Sequence, residues 1–232
     1  MTAHAASRTT QIKICCIASI AEAQLAIAYG ADAVGLVSQM PSGPGVIDDD
    51  LIAAIATAVG DSASTFLLTS LRDPQQIITQ QRRCGTSTLQ LVDALPAGAH
   101  AQLRAALPAV SIVQVVHVID AASVKEAIEI APHVDFLLLD SGNPSLGVKE
   151  LGGTGRTHNW DLSAEIIASV GVPVFLAGGL NAANVGEAIR RVRPYGVDLC
   201  SGVRTQGRLD PVKLAQFVAA VATNPVEIEI GN

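Results

Sequence analysis

VPVFLAGGLNAANVGEAIRRVRPYGVDLCSG, residues 172–202, decides the fold. It opens on a short apolar run, Val172–Ala177, that reads as a buried strand. Gly178 and Gly179 break that run, Asn181 offers a helix cap, and Ala183–Val192 carries apolar residues at helical spacing. A second apolar run, Val197–Ser201, completes a strand–helix–strand unit. The same unit recurs along the chain. Further strands are expected at Ile12–Ile17, Ala33–Val37, Ser64–Leu68, Thr88–Val92, Ile112–His117 and Val134–Asp140. Helices are expected at Ala21–Tyr29, Asp49–Val59, Pro74–Arg83, Ala99–Leu107, Ala122–Ile130, Leu162–Val170 and Pro211–Ala222, with Ser19, Asp48, Asp161 and Asp210 as further caps. Eight alternations argue for a parallel sheet, and strands this apolar must be covered on both faces. The fold class is therefore α/β, a single (β/α)8 TIM barrel, with an open doubly wound sheet as the competitor.

At 232 residues the chain suits one such domain, and no Gly-, Pro- or Ser-rich linker divides it. The polar start, residues 1–10, reads as a disordered leader, residues 11–224 as the barrel, and residues 225–232 as a C-terminal tail. Hydrophobic residues make up 49% of the chain and charged ones 16%, and the net charge is −6. That balance argues against nucleic-acid or anionic-membrane partners. An anionic ligand would need a local site rather than a basic field. Cys15, Cys16, Cys84 and Cys200 show no metal-ligand spacing and fit a reducing cytoplasm. The oligomeric state is left open between monomer and homodimer.

In barrels the chemistry sits in the loops after the strands. Three of these loops are rich in glycine or small residues: Gly152–Thr157, Ala177–Asn181 and Ser201–Thr205. Glycines let backbone N–H groups approach an anion, and barrels often hold a phosphate between the last two loops. The expected phosphate contacts are Gly153, Thr154, Gly155, Gly178, Gly179, Ser201 and Gly202. Asp140 ends a very apolar strand, where a carboxylate is either a cap or a catalytic acid. Cys15 is either an inert buried thiol or a reactive one. Strand alternation turns Cys15 and Cys16 to opposite faces, so only one joins Lys13 at the mouth. His117 is either an acid–base group or a rim residue, and Arg156, His158 and Asn181 are further candidate ligand contacts.

Four segments carry a resemblance. GGTGRTHNWDLS (152–163) is similar to a GGTGK-T-FDW segment of the phosphoribosylanthranilate isomerase family. PVFLAGGLNAANVGEAIRRVRPYGVDLCSGVRT (173–205) resembles that family's AGGL-N-P-NV and VRP-GVD-SSGVE segments. IKICCI (12–17) resembles its KICGI opening, and LLLD (137–140) its strand ending in an acidic residue. The resemblance implies an Amadori rearrangement of an N-phosphoribosyl amine, without metal or cofactor. It implies Asp140 as the general acid that opens the furanose ring and Cys15 as the base that takes the C2′ proton. It also implies a small phosphorylated substrate held on the three loops.

The chain departs from the family pattern at several points. The loop Met40–Val46 carries no basic residue where an arginine usually meets the anionic substrate, and Arg72 or Arg204 could replace it. Leu89–Asp93 lacks the usual histidine, Cys16 stands where glycine is usual, and His117 is also unusual. The candidate functions are the family's own isomerisation, a related isomerisation of another phosphosugar amine, and phosphate-ligand binding without catalysis.

Overall fold

The computed structural model describes residues 6–8, 10–143, 149, 151 and 155–228. Eight parallel strands close into a barrel: β1 Gln11–Ile14, β2 Ala33–Val37, β3 Ser64–Thr69, β4 Thr88–Leu91, β5 Ser111–His117, β6 Phe136–Asp140, β7 Val174–Leu176 and β8 Gly196–Leu199. The ring is shut by β8 pairing with β1, with Lys13 opposite Asp198. Helices α1 Ile20–Ala28, α2 Asp49–Val59, α3 Pro74–Cys84, α4 Ala99–Ala106, α5 Ala122–Ile130, α6 Trp160–Ser169, α7 Val185–Val192 and α8 Pro211–Ala222 follow the strands in turn. Among the described residues no helix is long and apolar enough to cross a membrane.

Strand alternation splits the core in two. Ile12, Ile14, Val34, Leu36, Leu67, Leu137 and Leu139 pack outward under the helices. Ala33, Val37, Phe66, Leu68, Val113, Val115, Leu138 and Phe175 pack inward. Phe66, Phe136, Phe175 and Tyr195 form one aromatic cluster, with Phe175 and Tyr195 ring centroids 5.4 Å apart. A filled interior of this kind leaves the C-terminal mouth as the place for a ligand.

Ser19, Asp48 and Asp210 cap their helices by accepting backbone N–H bonds, as does Asp73. Two expected caps are corrected. Asn159, not Asp161, caps α6, because the helix starts at Trp160 and places Asp161 in its first turn. Asn181 lies before a turn preceding α7; its side chain accepts from Ala183 N, and Asn184 is the residue at the cap position.

The strand ends also move. β1 stops at Ile14 because Cys16 takes a left-handed backbone (φ 61°), which no strand continues through. β8 stops at Leu199 and leads into a 3-10 turn, Ser201–Val203. Ala6–Arg8 and Val226–Ile228, read from the sequence as leader and tail, form an antiparallel pair outside the barrel.

Candidate active site

A cleft opens at the C-terminal mouth of the barrel. Cys15, Asp140 and Asp198 line it between two walls. One wall is Gly155, Ala177–Leu180 and Ser201; the other is Val37, Met40, Ser42–Pro44, Leu68, Gln90, Val92 and Leu151. The closed strand order sets β7 and β8 across the mouth from β3 and β4. The two walls therefore face each other over Cys15 and Asp140.

Lys13 lies below the cleft and is fully buried. Its Nζ sits 2.9 Å from Asp198 Oδ2 and 5.1 Å from the centre of the Phe66 ring. Burial works against its charge, but Asp198, Cys15 and Cys16 outweigh burial and the net pKa shift is upward. Lys13 and Cys15 meet over Gly35, whose missing side chain leaves room for both. A Cβ there would lie 2.9 Å from Cys15 Sγ and 3.2 Å from Lys13 Nζ. Asp198 escaped the sequence reading. Its signal was an acidic residue in the last strand at the register of a lysine in the first.

Asp140 is buried, and its Oδ1 accepts the Ser141 N–H at 2.7 Å. Burial raises its pKa, the Asp198 charge adds to that, and Ser141 and His117 only partly oppose it. A raised pKa of this kind lets a carboxyl group hold a proton that an ordinary aspartate would lose.

The expectation that only one of Cys15 and Cys16 faces the mouth is corrected. Both line the cleft, because the left-handed turn at Cys16 brings its side chain back over the barrel. Cys200 joins them. Hydrogen bonding to Cys15 and Cys200, together with burial, pushes the Cys16 thiol pKa up. The same bond from Cys16, with help from Arg204 and against burial, pulls Cys200 down.

The glycine loops after β6 and β7 close on each other. Gly179 has φ 61°, and a Cβ on it would lie 2.7 Å from the Arg156 carbonyl carbon. Only glycine fits there. Asn184 Nδ2 donates to Gly179 O at 3.0 Å and fixes the turn. Gly155, Gly178, Gly179 and Ser201 come together at the cleft, whereas Gly153 and Thr154 lie outside the described residues. Gly202 sits behind the wall, packed against the Leu180 carbonyl.

Four candidate contacts stand off the cleft surface. His158 bonds Ser163 Oγ at 2.7 Å through Nε2 beneath Gly178, and burial lowers its pKa to about 4. His117 donates from Nε2 to Val92 O at 3.1 Å, beside Asp140 in the sheet. Asn181 shapes the turn before α7, and Arg156 is exposed. Neither expected substitute for the loop arginine reaches the cleft. Arg204 binds Glu22 and the Cys16 carbonyl. Arg72 is bound to Ala94 O at 2.9 Å, with its side chain 56% exposed.

Residues 12–220 match the family described as N-(5'-phosphoribosyl)anthranilate (PRA) isomerase. The chain belongs to the phosphoribosylanthranilate isomerase family. Among similar proteins, an N-(5'-phosphoribosyl)anthranilate isomerase of Haloferax volcanii is 37% identical over 92% of this chain and 94% of its own. One of Methanocella arvoryzae is 30% identical over 91% and 98%. The phosphoribosylanthranilate isomerase structure from Thermotoga maritima matches with TM-score 0.78 at 25% identity, covering 92% of this chain and 99% of that one. The family's fold is the barrel found here, so Cys15, Asp140 and the glycine wall occupy the mouth of a phosphoribosylanthranilate isomerase barrel.

Proposed function

We infer that the chain isomerises N-(5'-phosphoribosyl)anthranilate by an Amadori rearrangement in tryptophan biosynthesis. The observation that carries the residue roles is the placement of Cys15 and Asp140 on one cleft, between the glycine wall and an apolar wall. Asp140 protonates the furanose ring oxygen, the C1′–O bond breaks, and the anthranilate nitrogen becomes an iminium. The Cys15 thiolate then takes the C2′ proton, and the released electron pair neutralises the iminium. The resulting enol tautomerises to the 1-amino-1-deoxyribulose phosphate. Gly155, Gly178, Gly179 and Ser201 grip the phosphate with backbone and hydroxyl donors. Binding energy from this unreactive group positions the sugar for both proton transfers.

The test is growth of a tryptophan auxotroph lacking this isomerase, together with turnover of the purified protein. Wild type should restore growth. Asp140→Asn and Cys15→Ser should each lower kcat by about 100-fold or more while phosphate binding persists. Near-normal turnover in either variant removes that residue from its role.

A further inference from the structure

We propose that Lys149 binds the carboxylate of the substrate's aryl ring and so sets specificity for a 2-carboxyphenyl amine. The proposal rests on the reaction inferred above. That substrate carries two anionic groups at opposite ends. If the glycine wall takes the phosphate, the aryl ring lies against the facing wall of Ser42, Gln90, Val92 and Leu151. A carboxylate brought to that wall loses water and needs a cation there.

The cations near the mouth separate by their partners. Lys13 is committed to Asp198 beneath the cleft. Arg204 is committed to Glu22 and to main-chain oxygens. Arg156 follows Gly155 on the phosphate side. Lys149 belongs to the aryl side. Ser42, part of that wall, donates from Oγ to the Lys149 carbonyl at 2.6 Å and anchors its backbone. Its Nζ lies 2.5 Å from Asp93 Oδ2, just beyond Val92. The side chain is 37% exposed, so it is held without being sealed.

The local charge fits an incoming anion. Asp93 stands between Lys149 and Arg72, whose Nε is 4.0 Å from the same oxygen. Two cations, Lys149 and Arg72, thus flank the single carboxylate of Asp93. An ammonium has three donors, so Lys149 can keep Asp93 and accept a second carboxylate. Gln90 supplies an independent sign of a ligand. It is almost fully buried, lines this wall, and its Oε1 has no hydrogen-bond partner among the described residues. A buried polar atom left unpaired at a cleft surface is a place for a ligand donor such as the aryl amine N–H.

The experiment compares two substrates, N-(5'-phosphoribosyl)anthranilate and N-(5'-phosphoribosyl)aniline, which lacks only the carboxylate. Lys149→Met should raise KM for the first at least about tenfold, with kcat within about twofold. It should leave kcat/KM for the aniline substrate unchanged, and Lys149→Arg should restore most of the loss. Equal loss on both substrates, or no loss on either with an active wild type, overturns the assignment of Lys149 alone. A wild-type protein inert toward the anthranilate substrate overturns the reaction itself and this assignment with it.

Discussion

Gly35→Ala tests whether the space over β2 is what holds Cys15, the proposed base, in place. The added Cβ would lie 2.9 Å from Cys15 Sγ, 3.1 Å from Cys15 Cα and 3.2 Å from Lys13 Nζ. Relaxed contacts of this kind sit near 3.5–4.0 Å, so the overlap is roughly 0.5–1 Å. Rotating the thiol relieves only the first contact; the second is backbone, so Cys15 itself must shift. Overpacking of this size costs about 1–3 kcal/mol. For a domain this long, that lowers Tm by roughly 2–12 °C. A displacement approaching 1 Å at a reacting group costs about 100-fold in rate. The glycine wall lies elsewhere on the mouth, so the phosphate binding proposed for it should persist. The assay is kcat from steady-state turnover, Tm from thermal unfolding, and titration with inorganic phosphate. A folded variant with wild-type kcat would refute the placement of Cys15 beside Lys13.

Two further outcomes follow from the glycine wall. His158 is held neutral in the fold, with its pKa lowered to about 4 by burial against an ordinary value near 6.5. Between those values the unfolded chain takes up a proton that the folded one refuses, so stability is lost as pH falls from about 6.5 towards 4. The loss reaches at most about 3 kcal/mol. Denaturant unfolding across that window should show His158→Gln flattening the pH dependence, and an unchanged slope would remove His158 as its source. Gly202→Ala would drive a Cβ into the Leu180 carbonyl, with Asn181 Cα only 3.3 Å away. The loops after β7 and β8 must then part, and KM should rise about tenfold or more with Cys15 and Asp140 intact. An unchanged KM would show that the two loops do not act together.

The barrel was legible because its signals are local and repeated. Each apolar run followed by a helical period is one strand–helix unit, and eight such units leave few ways to close. The end of β1 was not legible, because alternation assumes extended backbone and Cys16 is left-handed. That one dihedral moved a thiol the sequence had turned away from the mouth onto the cleft. Gly178 and Gly179 could be read as cleft glycines, whereas the close approach of Gly202 to Leu180 depends on tertiary packing that the sequence does not show. Arg72 and Arg204 were reasonable candidates by charge, but their partners Ala94, Glu22 and Cys16 are distant in sequence. Lys149 gave no local signal at all. Its place depends on Ser42 and Asp93, which reach it from two other loops.

These placements tie the chain's departures from the family pattern into one physical change. A side chain at Cys16 costs about 1–2 kcal/mol in a left-handed backbone, where the family resemblance puts glycine. It also constrains the loop after β2, since a Cβ on Gly45 would lie 2.5 Å from Cys16 Cβ. Cys16 thus requires a bare backbone at Gly45, and the loop Met40–Val46 must run close over the end of β1. A loop held that low presents Ser42 rather than a long basic side chain to the cleft. Ser42 in turn holds Lys149 by its carbonyl. On the assignment proposed for Lys149, the cation absent from the β2 loop is supplied instead by the loop after β6, where Ser42 and Asp93 hold that lysine.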